Sequence, residues 1–284
     1  MSDSIPMVLI CGQVARAAIG TDAFQEAPVF NLMSACAKHV FLVKNPADLT
    51  ATVRTAFQIA RSGRPGPVVI DLPKDVQNWE GPYDSESVLQ LHGYQDRVNK
   101  MAHAKMPKEK VDSFLKLLKR SRRPLLYVGG GVIISNAESE LRRFMKQFQI
   151  PAVTTLMGIG AMDTRSDLCL NMLGMHGAAH GNYAVDECDL LIAVGARFDD
   201  RVAGNPKKFA ENAAIAHIDI DAAEIGKVKP VDWHYVGDAG VALRSVTDAG
   251  KETKLAHKQW LKHVAAMKKR HKFNFNRESE TIQP

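Results

Sequence analysis

Between residues 108 and 247, short apolar runs repeatedly break off at a glycine or an aspartate, with stretches of helical period between them. "LLYVG" (125–129) runs into Gly129-Gly130-Gly131, and "AVTTL" (152–156) into Met157-Gly158. "LLIAVG" (190–195) is followed by Ala196-Arg197-Phe198-Asp199-Asp200-Arg201, "IAHIDID" (215–221) carries its own aspartates, and "HYVG" (234–237) meets Asp238. Such runs read as strands, and their alternation with helical stretches predicts a parallel sheet. Helical periodicity over about 108–120, 137–148 and 238–247 supplies those helices. The fold class expected is α/β, a doubly wound parallel sheet that takes its ligand outside the carboxyl ends of its strands.

The residues at those ends carry the chemistry. Glycines allow a backbone to be approached closely, arginines and free amides suit a diphosphate, and strand-end carboxylates accept from ribose hydroxyls. At any one end the same residues also serve as turns and helix caps. Five such ends on one edge favour a nucleotide-like ligand. The pattern is not G-x-G-x-x-G, so no standard dinucleotide fold follows. His176 and His180 stand four apart in "GMHGAAH" with no glutamate beside them, a weak metal signal. The reading preferred for His176 is a loop histidine beside the ligand, with no metal ligands assigned.

Upstream, "SGRPGPVVIDLPKD" (62–75) holds one arginine at a corner between a helix and a strand. Pro46 suits a first helical turn, Leu49, Val53, Ala56, Phe57 and Ala60 mark an apolar face, and Gly63 can close the helix in the left-handed conformation. With "MVLICG" (7–12), only two strands are legible before residue 76, too few for an independent sheet layer. Residues 77–107 have weak periodicity and read as a linker, with a boundary near Leu91.

No apolar run reaches the roughly 18 residues of a membrane helix. Four scattered cysteines read as reduced thiols of a cytoplasmic protein. Much of the net charge of +6 sits near the C-terminus, where Trp260, Val264 and Met267 form one stripe on a basic helix. A solvated helix packing on its own protein is the expectation, with neither a nucleic-acid nor a membrane partner.

"GQVARAAIGTDAFQEAPV", "SGRPGPVVIDLPKD", "YVGGGV", "TTLMGIGAMD", "LGMHG", "GARFDDRVAG" and "HIDIDAAEIGK", in order and spacing, resemble the large subunit of the acetolactate synthase (acetohydroxyacid synthase) family. Those enzymes depend on thiamine diphosphate, and the similarity runs along nearly the whole chain. Glyoxylate carboligase and pyruvate oxidase share the architecture. The resemblance implies that residues 1–91 are the later part of a pyrimidine-binding domain plus linker. It makes 92–250 a central FAD-binding domain, and 251–284 a basic helix opening a linker to a pyrophosphate-binding domain. It implies FAD contacts at Arg64, Gly130, Gly131, Leu156, Met157, Met175, His176, Gly177, Gly195, Arg197, Asp199, Arg201, Asp219, Ile220 and Asp238. Gln25 would line the active site, with Phe24 and Ala15 in the substrate channel; many members have proline at the position of Ala15.

The implied activity is decarboxylation of pyruvate on thiamine diphosphate and Mg²⁺, followed by condensation with pyruvate or 2-oxobutanoate in branched-chain amino-acid biosynthesis. A homo-oligomer with a regulatory small subunit is the implied assembly. The family's catalytic glutamate and its Gly-Asp-Gly…Asn motif match nothing in this chain. The chain is therefore expected to be a fragment, inactive alone; the competing readings are a truncated FAD-binding module without catalysis and another FAD-containing thiamine enzyme such as glyoxylate carboligase.

Overall fold

A computed structural model describes residues 3–273. The chain forms two compact units, Met1–Lys100 and Met101–Pro284.

Unit 1 holds three parallel strands, β1 (Met7–Gln13), β2 (His39–Leu42) and β3 (Pro67–Pro73), in the order β1-β3-β2. Strand β2 raises the two strands legible in the sequence to three. Its apolar run, Val40 to Val43, is short and flanked by Lys38 and Lys44, so neither length nor pattern announces it. The helices are α1 (Val29–Ser34), α2 (Leu49–Arg61), α3 (Lys74–Gln77) and α4 (Tyr94–His103), which crosses the division between the units. Helix α4 lies inside the stretch read as linker.

Helix α2 follows a turn over Pro46–Asp48 in which Asn45 accepts from the amide of Ala47, and it ends before Gly63 at φ +52°. Its buried face is Ala51, Thr52, Thr55, Ala56, Ile59 and Ala60, packed on the sheet with Val68 and Ile70. Of the apolar face expected, Ala56 and Ala60 are buried and Leu49 and Val53 are partly buried against the same core, so only Phe57 departs from it. Small side chains let the helix lie close to the sheet, and Phe57 is left 53% exposed.

Unit 2 is a six-stranded parallel sheet of β4 (Pro124–Val128), β5 (Ala152–Thr154), β6 (Cys169–Met172), β7 (Leu190–Val194), β8 (Ala214–Asp219) and β9 (Trp233–Val236). Its order is β6-β5-β4-β7-β8-β9. The first strand is central, two follow to one side and three to the other, the arrangement of doubly wound nucleotide-binding sheets. Strand β6 was not legible: its register against β5 shifts, and Asn171 within it takes φ +61°.

The helices are α5 (Lys108–Arg120), α6 (Gly130–Ile134), α7 (Glu138–Phe148), α8 (Ala179–Glu187), α9 (Asp200–Ala203), α10 (Ala239–Ala249) and α11 (Lys258–Arg270). Alternate strand residues feed two cores. Leu126, Val128, Ile192 and Ile218 pack with Phe114, Phe144 and Leu243 from α5, α7 and α10. Leu125, Tyr127, Leu191 and Ala193 face Val185 of α8 and Trp260, Val264 and Met267 of α11. The expected α/β class holds, with a parallel sheet covered on both faces. Helix α11 buries the predicted stripe, and Trp260 Nε1 donates to the carbonyl of Pro124 at 3.0 Å.

Candidate functional site

Because all six strands of unit 2 run parallel, their carboxyl ends share one edge. The strand order reverses direction between β4 and β7, and there the two loops nest. The amide of Gly129 donates to Val194 and that of Gly131 to Gly195, both at 3.0 Å. A Cβ on Gly129 would lie 2.1 Å from the Gly195 oxygen, and one on Gly131 2.6 Å from the Gly195 Cα. Gly195 itself sits at φ +55°. The close approach these glycines permit is thus between two loops of the protein. Gly130 meets Met157 in the same way, at 2.9 Å, and Gly177 the backbone of Leu173 at 2.4 Å.

The carboxylates have structural partners as well. Asp199 caps α9, accepting from the amides of Arg201 (3.0 Å) and Val202 (3.2 Å). Asp238 caps α10 through the amide of Val241 at 2.8 Å. Asp219, almost buried, accepts from the amide of Asp221 at 2.9 Å. Its other oxygen lies 3.7 Å from His217 Nε2. Ile220 continues the chain between the two aspartates. Arg197 is half-buried, 3.9 Å from Asp199, whereas Arg201 projects into solvent 3.8 Å from Asp200. The same edge carries large exposed apolar side chains, Leu156 at 68%, Met157 at 53% and Met175 at 67%.

His176 is exposed and lines, with Gly177, Thr154, Asn171 and Met172, a cavity of about 190 Å³. His180 does not join it as a second metal ligand. It is buried, its Nδ1 donates to the carbonyl of His271 at 3.1 Å, and its Nε2 stands 3.4 Å from the Asn171 amide. Burial holds the imidazole below its ordinary pKa, hence neutral. Among the described residues no group of three or more His, Cys, Asp or Glu is placed to hold a metal ion.

Two residues that set this edge were not singled out in the sequence. Tyr127 donates to the carbonyl of Arg197 at 2.6 Å, and His217 Nε2 donates to that of Ala196 at 3.0 Å. Together they hold the turn that carries Arg197. Burial raises the Tyr127 phenol far above its ordinary pKa, so it remains a donor. Both occupy strand interiors and read as core, so no sequence signal marks them.

In unit 1, Ala15, Phe24 and Gln25 fall in the loop after β1. Phe24 is 90% exposed, and Gln25 takes φ +66°, a conformation few non-glycine residues adopt. Glu26, unnoticed in the sequence, anchors the loop by accepting from the amides of Gly20 and Ala23. Those bonds, the Gly20 one foremost, hold its carboxyl below the usual range. Arg64 Nε donates to Ser4 Oγ at 3.0 Å.

Residues 111–246 match the family model for the central domain of thiamine pyrophosphate enzymes. Over 286 residues, 99% of this chain, it is 43% identical to acetolactate synthase 1, chloroplastic, of Nicotiana tabacum, covering 42% of that protein. It is 45% identical over 274 residues to the acetolactate synthase large subunit of Parasynechococcus marenigrum, covering 95% of this chain and 43% of the relative. The large subunit of Corynebacterium glutamicum is 43% identical over 271 residues, 94% of this chain and 42% of its own. The chain thus spans less than half the length of these relatives.

Proposed function

Since the chain belongs to the thiamine pyrophosphate enzymes, and within them to the acetolactate synthase large subunits, we propose that unit 2 binds FAD along the carboxyl edge of its sheet. The observation that carries this reading is the meeting, on that one edge, of arginines, carboxylates and exposed apolar side chains. The donor set fits the group. Arg197 and Arg201 would neutralise its diphosphate, Asp219 and Asp238 would accept from its hydroxyls, and Leu156, Met157 and Met175 would cover flat rings. Gly130, Gly131, His176, Gly177, Gly195 and Ile220, and the Asp199 carboxylate, complete the proposed contacts. Arg64 of unit 1 enters on the resemblance alone. FAD would have a structural part here, because the condensation proposed below transfers no net electrons.

For the whole protein we propose decarboxylation of pyruvate and condensation with a second pyruvate or 2-oxobutanoate, in branched-chain amino-acid biosynthesis. Thiamine diphosphate, held with Mg²⁺, would supply the nucleophilic carbon. This chain's own contribution would be Gln25, Phe24 and Ala15, which line the path of the 2-oxo acids. Residues 1–91 would belong to the pyrimidine-binding domain, 92–250 to the FAD domain and 251–284 to the start of the next linker. A cytoplasmic location, a homo-oligomer and a regulatory small subunit are part of the same proposal.

Titrating the purified chain with FAD while following flavin fluorescence tests the reading. A saturable change is expected, and Arg64→Ala should weaken it by about 1.5–3 kcal/mol, the worth of a charge-assisted hydrogen bond. Arg120→Ala, at the exposed end of α5, should change it by less than about 0.5 kcal/mol. No saturable change, or preferential binding of NAD, would remove the FAD assignment.

A further inference from the structure

Not all of the apolar surface of helix α2 is covered: Leu49 and Val53 are only partly buried against the core, and Phe57 is exposed. The helix's small residues pack inward, while Leu49, Val53 and Phe57, spaced four apart, line the floor of an open groove of about 840 Å³. Tyr83, Tyr94 and Val98, from outside α2, also line it, and all these lining residues belong to unit 1. Volumes of this order hold ligands or anchor side chains.

The polar lining has one sign. Arg54 and Arg61 both border the groove, and no aspartate or glutamate among the described residues lines it. The Nε of Arg54 is buried without a hydrogen-bond partner. A buried unsatisfied donor costs free energy, and a cationic one is best satisfied by a carboxylate. Neither arginine has an ion-pair partner among the described residues. The two lie seven residues apart, about 10 Å along the helix axis, with Phe57 between them.

We propose that this groove docks an acidic amphipathic helix of a partner protein. Two carboxylates seven residues apart would meet Arg54 and Arg61, and the apolar side chains between them would pack on Val53 and Phe57. Repeats of this kind are how a helix reads a groove. The proposal is independent of FAD and of thiamine chemistry.

Two fluorescent helical peptides of about 18 residues test it on the full chain. Both carry leucines at i, i+3, i+4 and i+7; one has glutamates seven apart beside them, the other lysines. By anisotropy, the glutamate peptide should bind in the micromolar range, at least about tenfold tighter than the lysine peptide, and weaken with salt. Arg54→Ala/Arg61→Ala should remove that preference, and Arg54→Glu/Arg61→Glu should invert it. Phe57→Asp, at an exposed position that folding tolerates, should abolish binding of the glutamate peptide, with circular dichroism confirming the fold. Equal binding of the two peptides, or no saturation by about 100 µM, overturns the proposal. So does binding of anilinonaphthalene sulfonate in the groove with neither peptide bound, which would mark a small-molecule site. A concentration-dependent dimer dissolved by Arg54→Glu/Arg61→Glu would replace the partner with a second copy of this chain.

Discussion

A methyl group added at Gly131 would lie 2.6 Å from the Cα of Gly195 and 3.0 Å from its oxygen. Backbone cannot yield as a side-chain tip does, so Gly131→Ala should destabilise unit 2 by about 1–3 kcal/mol. Chemical denaturation without any ligand measures this; an unchanged midpoint would mean that the two loops can part freely. Asp219 separates turn-making from ligand binding. Asparagine keeps the oxygen that accepts from the Asp221 amide but removes the charge, while alanine removes both. FAD affinity should therefore fall in the order parent, Asp219→Asn, Asp219→Ala. If all three bind alike, Asp219 serves the turn alone. The candidate positions were legible as residues, since glycine and aspartate at strand ends are visible in any reading. Their division between turn and ligand was not, because the same hydrogen-bonding capacity serves both.

The end of α2 joins local sequence to an ionisation. Lys38 Nζ donates to the carbonyls of Ile59 and Ser62 and to Ser62 Oγ, closing the last turn of the helix. Burial lowers its pKa to about 8 from an ordinary 10.5. The unfolded chain therefore binds more protons between those values, and the contribution of this group to unit 1 stability rises with pH across that window. Unfolding midpoints at about pH 8 and pH 10.5 should show a positive difference that is reduced in Lys38→Met; an identical difference in the variant would leave Lys38 without a perturbed ionisation. The limits of α5 were legible from periodicity, as was the closure of α2 near Gly63. Most of the face that α2 buries was legible too: Ala56 and Ala60 are buried, Leu49 and Val53 pack partly on the same core, and Phe57 is the exception. Period alone shows that Leu49, Val53, Ala56, Phe57 and Ala60 share a side, but contact with the sheet selects for small size, which hydrophobicity does not measure. Strands β2 and β6 escaped for local reasons: the short apolar run of β2 lies between lysines, and β6 carries Asn171 at φ +61° with a register shift against β5.

On the scale of the whole molecule, each unit has its own core, and all the proposed FAD contacts but Arg64 fall in unit 2. A ligand that binds only the folded state stabilises it by about 2.7 kcal/mol at a hundredfold excess over Kd. For a unit of this size that corresponds to roughly 5–10 °C in the unfolding midpoint. The stabilisation should be local before it is global. Amide exchange should slow at Gly129–Val132, Gly195–Asp199 and Asp219–Asp221, where backbone at the strand ends would be shielded, while α11, on the far side of its own core, should follow only the global change. Strands β1 to β3 serve as the comparison within the same sample. Protection confined to unit 1, or spread evenly with no excess at the strand ends, would move the flavin off this edge and leave its arginines and carboxylates as loop structure.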